Sequence, residues 1–170
     1  GAGLLGWLLF EKIFHRHATS LGAASGIVAG LVAVTPAAGS ISPIGAIFLG
    51  LITGAICAWA ISLKYKFNFD DSLDVVGVHL VGGLVGTVLI GFLATEDGLF
   101  YGGDARLLLT QILIALAALI FSGVVTFVIA GILKVTLGWR IHPDDELRGI
   151  DQAEHKESAY QQPAYVGTIS

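Results

Sequence analysis

Charged residues are scarce in this chain of 170 residues, where aspartate, glutamate, lysine and arginine together make up 13%. A soluble domain of this length carries about 25% charged side chains, which keep its surface hydrated. Hydrophobic residues make up 55% of the chain, and the mean hydropathy is +0.81. The polar side chains are too few to cover a water-exposed surface. This excludes an ordinary soluble domain and predicts a protein surrounded by the lipid bilayer.

Cysteine and net positive charge are also lacking. The single Cys57 excludes a scaffold of internal disulfides. The formal net charge of −4 repels phosphate, which argues against a nucleic-acid partner. No pair among the five histidines has the spacing of zinc ligands. Since no phosphate-binding loop or nucleophile–base pair stands out either, we expect no metal, no cofactor and no enzyme.

The chain has no methionine and begins at Gly1, inside an apolar run that ends near Phe14. The run lacks the basic start of a signal peptide, and Glu11 and Lys12 stand at its end. It is too short to cross a membrane as it stands. We expect it to be the back half of a helix, and the whole chain to be the C-terminal portion of a longer protein.

Four longer apolar runs follow, at about 21–38, 43–63, 73–94 and 105–137. Each is long enough for a helix to cross a hydrocarbon core of about 30 Å. The last run exceeds the bilayer unless its helix tilts or projects. The predicted fold class is therefore all-α, a polytopic transmembrane helix bundle made of the end of one helix plus four full spans.

Capping residues mark several of the predicted helix starts. Ser42-Pro43 is typical of an N-cap followed by proline at the first helical position. Asp70, Asp71 and Asp104 stand where helix N-termini favour negative charge. Asp74 is the exception, because the predicted span places it a full turn inside the helix.

The basic residues alternate between connections, which predicts the orientation because cytoplasmic loops are enriched in Lys and Arg. The four connections between the apolar runs are 11–20, 35–42, 64–71 and 95–104. The charge pattern places the first connection, the third connection and the C-terminus in the cytoplasm. From residue 139 the composition becomes acidic and soluble. We therefore predict a transmembrane region at 1–138 and a cytoplasmic tail at 139–170. The basic residues in the first connection, in the third connection and after the last run are, in pairs, Lys12 and Arg16, Lys64 and Lys66, and Arg140 and Arg148.

Small residues recur at every fourth position in the second run, at Gly22, Gly26 and Gly30. In lipid, helices associate through close backbone approach, which small faces permit. Helix packing is therefore the favoured interpretation of these glycines, and a functional one is weakly supported.

His79 carries the strongest functional signal from the residues alone. It lies about 12 Å along a helix from Asp71, deep in the hydrocarbon layer. An ionisable side chain at that depth is costly and usually faces a bundle interior or a water-filled cavity. The predicted face around it carries two valines and three glycines, namely Val75, Val76, Gly82, Gly83 and Gly86. Two interpretations stay open: a polar waypoint in a narrow apolar passage, or a structural histidine bonded to a neighbouring helix.

Three motifs resemble the Amt/Rh family of ammonium transporters, and the bacterial Amt type in particular. The first runs from Asp74 through His79 to the glycines that end at Gly86. The second is the helix that ends in Thr35-Pro-Ala-Ala-Gly39. The third is the tail, with Glu146-Leu-Arg-Gly149-Ile-Asp151, Glu154-His155 and Ala159-Tyr160. The resemblance covers nearly the whole chain in family order.

The resemblance implies ammonium or ammonia transport through a hydrophobic pore within each subunit of a homotrimer in the cell membrane. His79 would be one of two pore histidines, Val75 would line the same path, and Asp74 would be a structural carboxylate near the pore. The other histidine belongs to an earlier helix of the family, so this chain would lack the other half of the pathway. The alternatives are an ammonium sensor and a purely structural membrane helix bundle.

The resemblance also implies a regulatory tail. In the family, the cytoplasmic end couples the subunits and accepts a PII-type signalling protein that blocks the pore exit. The candidates for tail docking in this chain are Glu146, Arg148, Gly149 and Asp151. A passive, solvated tail is the alternative.

Overall fold

A computed structural model describes residues 1–158, and these residues form helices joined by short connections. The predicted motif residues Ala159-Tyr160 and the rest of the predicted tail, 161–170, lie outside the described residues. The helices are α1 (Ala2–Phe14), α2 (Ser20–Ala37), α3 (Pro43–Ala60), α4 (Leu63–Phe67), α5 (Val81–Leu93), α6 (Ala105–Thr136) and α7 (Pro143–Arg148). A π-helical turn, Val76–Leu80, leads into α5, a 3-10 turn spans Leu99–Tyr101, and a second π-helical turn spans Asp151–His155.

Within residues 1–158, four helical segments are long and apolar enough to cross a membrane: Ser20–Ala37, Pro43–Phe67, Val76–Leu93 and Ala105–Thr136. They coincide with the four predicted runs to within a few residues. The predicted class, an all-α polytopic transmembrane bundle, is confirmed.

Side-chain caps fix the starts of several helices, because the first amides of a helix have no partner within it. The Ser42 hydroxyl accepts a hydrogen bond from the Gly45 amide at 3.1 Å, and Pro43 occupies the first turn of α3. At the start of α6, the Asp104 carboxylate accepts from the Arg106 amide at 2.8 Å. Both predicted caps are confirmed.

Glycines bring α1, α2 and α3 into close backbone contact. A Cβ atom on Gly26 would lie 2.7 Å from the Cβ of Trp7 and 2.8 Å from the Cα of Leu4. A Cβ on Gly54 would overlap the carbonyl oxygen of Gly3. Helix packing, the favoured interpretation of the small residues, therefore accounts for these contacts.

The buried core consists mainly of small side chains between α2, α3 and α5. Such side chains let helix backbones approach closely, which favours association in lipid. One cluster centres on the buried Trp7 and reaches the π-helical turn through Val78. The other lies toward the opposite end of α5 and contains Ala33, Ala37, Leu49, Ile90 and Ala94.

The chain divides into two compact units, and the second begins at Gly123, within α6. With 32 residues, α6 is about 48 Å long, and none of its residues is buried. The helix ends at Thr136, and Gly138 follows with a φ of +84°. The predicted domain boundary after residue 138 stays a prediction.

Candidate functional site

His79 lies in the π-helical turn Val76–Leu80, and its side chain faces a groove of about 290 Å³. The ring is exposed in this chain. Within residues 1–158 it forms no hydrogen bond or ion pair, so no neighbouring helix in this part of the chain holds it as a structural partner. The free imidazole can both donate and accept a hydrogen bond in the groove.

The groove has mostly apolar walls with few polar groups. Its polar side-chain groups are the His79 imidazole and the hydroxyl groups of Thr87 on α5 and Ser122 on α6. An apolar cavity with few convergent polar groups is typical of a binding or conduction site for a small molecule. The lining residues are Pro36, His79, Leu80, Gly83, Leu84, Thr87, Ala115, Ala118, Leu119 and Ser122.

The glycines after His79 divide into two groups. Gly82 lies against the Cys57 sulfur and the Val32 side chain, because a Cβ there would meet each at 3.4 Å. Gly86 packs on the backbone of Ala33. Only Gly83, of these three, lines the groove, and a Cβ there would meet no atom within 4 Å. The expectation that all three flank the imidazole is therefore wrong, since helix packing takes two of them.

The Asp71 carboxylate starts the helix that carries His79. It accepts hydrogen bonds from the amides of Val75 and Val76 at 2.8 and 2.9 Å, and a longer one from Gly77 at 3.4 Å. A carboxylate on these free amides also offsets the positive end of the helix dipole. The predicted N-terminal role of Asp71 is confirmed.

Asp74 lies before the helix, and the expectation that it stands a full turn inside is wrong. Its backbone is left-handed, with a φ of +56°, which ends the loop and starts the helix after it. Its carboxylate pairs with the Lys64 ammonium at 2.6 Å. Since aspartate tolerates the left-handed region better than most residues, the sequence suits this bend. The structural role predicted for Asp74 stays a prediction.

Val75 is 51% exposed at the first turn of the same helix. Among the described residues it does not belong to the walls of the groove. Its predicted place on the conduction path stays a prediction.

The four tail candidates lie on and just after α7. Glu146 is in the first turn, and Arg148, in the last, makes an exposed ion pair of 3.9 Å with Asp145. Gly149, with a φ of +96°, ends the helix, and Asp151 begins the second π-helical turn. Glu146, Arg148 and Asp151 are exposed, and Gly149 is half-buried. Their docking role stays a prediction.

A family model described as Ammonium Transporter Family matches residues 1–160. The chain belongs to this family. An ammonium transporter of Mycobacterium tuberculosis (strain ATCC 25618 / H37Rv) is 50% identical to it over 180 residues, which cover 99% of this chain and 38% of that protein. The resemblance inferred from the motifs is confirmed, and the family is one of membrane transporters rather than enzymes.

Two solved structures share the fold. The crystal structure of Saccharomyces cerevisiae Mep2 is 31% identical, with a TM-score of 0.73 over 84% of this chain and 35% of that one. A structure described as "Sensor Amt Protein" is 27% identical, with a TM-score of 0.81 over 90% of this chain and 38% of that one. The chain thus spans little more than a third of the length of these ammonium-transporter relatives.

Several residues of the site escaped the sequence reasoning. Thr87 had a usable signal, because it follows His79 and Gly83 at intervals of four residues. Lys64 was predicted only to contribute positive charge to a connection, whereas its side chain pairs with Asp74. Ser122 and Pro36 join the groove through tertiary packing alone, for which the sequence offers no local signal.

Proposed function

We propose that this chain forms part of the conduction path of an ammonium transporter and that the permeating species passes His79. The observation that carries the proposal is the position of this imidazole, within an apolar membrane-spanning segment yet facing a groove rather than a partner. An unpaired polar ring there is costly unless a permeating molecule or water uses it.

The chemistry of ammonium suits such a groove. A cation loses a large hydration free energy when it enters an apolar passage. Neutral ammonia loses much less, so we infer that the proton leaves the cation before or during passage. His79 then offers a hydrogen-bond donor or acceptor and can relay the proton. Val75 provides apolar surface on the same path, and Asp74 supports the start of the helix.

A chimera tests the role of His79. This chain replaces the matching region of the mycobacterial relative, and uptake of methylammonium is measured in cells that lack their own ammonium transporters. We expect His79→Ala to lower the uptake rate about tenfold or more, as expected when a positioned proton-transfer group is removed. His17→Ala, an exposed residue of the first connection, is the matched control and should leave uptake unchanged.

Unchanged uptake and unchanged discrimination against potassium in the His79→Ala chimera would reject the proposed role. A chimera with the unmodified chain that transports nothing, although it reaches the membrane at normal levels, would favour a structural bundle.

A sensor is the second candidate, because one matching structure is described as a sensor Amt protein. The matched region covers most of this chain, so the groove by itself does not separate the two functions. Uptake by the chimera separates them: a sensor core binds ammonium with little net flux, whereas a transporter accumulates methylammonium in the cells.

We further propose that the complete protein is a homotrimer in the cell membrane and that the tail docks on its cytoplasmic face, where a PII-type signalling protein binds. A docking role for Glu146 and Arg148 on α7, and for Asp151 just after it, is supported by their exposed charges, and Gly149 joins them as the residue that ends the helix. Deleting 147–170 from the chimera should alter both the uptake rate and co-purification of the PII-type protein. If neither changes, the tail is passive.

A further inference from the structure

Lys64 bridges the third connection to the helix that carries His79. Its ammonium donates one hydrogen bond to the Asp74 carboxylate at 2.6 Å and another to the Asp71 backbone carbonyl at 2.9 Å. The Lys64 side chain is 15% exposed and that of Asp74 is 26% exposed. A paired, mostly shielded ammonium has more structural influence than a solvated loop lysine.

Both residues held by Lys64 define the start of this helix. Asp71 caps the first free amides with its carboxylate, as described above. Asp74 adopts its left-handed conformation directly before the first turn, and its carbonyl accepts from the Val78 amide at 2.8 Å. The position and direction of the first turn therefore depend on two residues that Lys64 binds at once.

The end of α3 holds the same turn from another side. A Cβ on Gly77 would lie 2.6 Å from the Cγ2 of Ile61 and 3.1 Å from its Cα. The backbone at Gly77 is therefore packed closely against Ile61. The Cys57 thiol lies 3.8 Å from the Val78 carbonyl oxygen, as a weak hydrogen-bond donor. His79 follows directly and has no polar partner of its own in residues 1–158. Its direction is therefore set by the residues before it.

We propose that Lys64 is a positioning residue for His79. By holding Asp71 and Asp74 together, it fixes the π-helical turn and thereby directs the imidazole into the groove. Lys64 does not line the groove in the described part of the chain, so it acts through the backbone rather than on the permeating molecule. The structural part of this proposal is independent of transport, whereas its effect on flux rests on the proposed function.

The test uses the full chain, labelled with ¹⁵N-histidine in lipid nanodiscs, and compares NMR signals of the His79 ring, assigned by loss in His79→Ala. Lys64→Met removes the ammonium and keeps a similar length. We expect it to shift or broaden the His79 signals and to increase hydrogen exchange at the Val75–Gly77 amides about three- to tenfold. Lys64→Arg, which retains the charge and the donors, should restore both.

Lys66→Met is the matched control. Lys66 lies on the same short helix, but its ammonium is 6.0 Å from the Phe67 ring centroid and it is exposed. The Lys66→Met variant should leave the His79 ring signals and the amide exchange unchanged. Asp74→Asn, which weakens the same contact from the other side, keeps the test informative if Lys64→Met does not fold, and it should shift the same signals.

Unaltered His79 signals and unaltered amide exchange in folded Lys64→Met, or in Asp74→Asn, would overturn the positioning role, whatever the chimera transports. Equal effects of Lys64→Met and Lys66→Met would overturn it as well. If the signals shift as expected but His79→Ala transports normally, the positioning role stands and the proposed transport function of His79 fails.

Discussion

Single residues on α5 have opposite tasks although their chemistry is the same. Gly86 packs against the backbone of Ala33 on α2, where a Cβ atom would overlap the Ala33 carbonyl oxygen. Gly83, less than one turn away, faces the open groove. The spacing alone does not separate these tasks, because Gly82 and Gly83 are adjacent in sequence and both lie within about one turn of Gly86. Only the positions of α2 and α6 decide which glycine is covered.

These two glycines should respond differently to the same added methyl group. Gly86→Ala forces the Cβ into Ala33, and overpacking of this kind costs about 1–3 kcal/mol of unfolding free energy. Gly83→Ala meets no atom and gains helix propensity, so the free energy of unfolding should stay equal or rise by about 0.5–1 kcal/mol. Thermal unfolding of the purified chain in detergent measures both, and equal losses would contradict the packing described.

At the scale of elements, the joint between α1 and α2 depends on one carboxylate. Glu11 accepts hydrogen bonds from the Trp7 indole at 3.2 Å, from the Thr19 amide at 2.8 Å and from the Thr19 hydroxyl at 3.0 Å. The same hydroxyl accepts from the Gly22 amide at 2.8 Å and so caps α2. The end of one helix and the start of the next are therefore stabilised together.

Thr19→Val should weaken this joint, because it keeps the side-chain shape and removes the cap. The expected loss is about 0.5–2 kcal/mol of unfolding free energy, measured by thermal or chemical unfolding. Ser20→Ala is the neighbouring control, since the Ser20 side chain is exposed and makes no hydrogen bond within residues 1–158. A loss of the same size in both variants would contradict a specific capping role.

The spans and two of the caps were predictable because they depend on local information. Apolar runs of sufficient length predict membrane helices, and Ser42-Pro43 predicts the start of α3. The π-helical turn and the left-handed Asp74 were not predictable in this way. They lie beside the contacts of Lys64 with Asp74 and of Gly77 with Ile61, which join separate elements and so have no local signal in the sequence.

For the molecule as a whole, cysteine labelling measures the orientation in the membrane. The lone Cys57 is buried at 0% exposure, so the unmodified chain offers no accessible thiol to a membrane-impermeant reagent. Introduced cysteines can therefore report on the two sides without first removing Cys57.

His17→Cys in the first connection and Glu96→Cys in the fourth replace exposed residues. If the charge pattern sets the orientation, an impermeant maleimide added to intact cells should label Glu96→Cys strongly and His17→Cys only after the membrane is opened. The unmodified chain serves as the blank. The reverse pattern, or equal labelling of both variants in intact cells, would contradict a cytoplasmic first connection.

The candidate site was predictable at His79 and less so around it. Its place within an apolar run identified the histidine, since an ionisable side chain is costly in lipid. The walls could not be predicted, because Pro36, Ala115 and Ser122 come from helices far apart in sequence. Only the structure shows that His79 has no polar partner within residues 1–158.

Within the described part of the chain, the groove-lining residues all lie between Pro36 and Ser122, ahead of the point at which the second compact unit begins. Genetic exchange downstream of Gly123 would therefore leave every one of these walls chemically unchanged. The tail sequence can therefore diverge between relatives, and engineers can attach a different tail, without changing any of these described side chains.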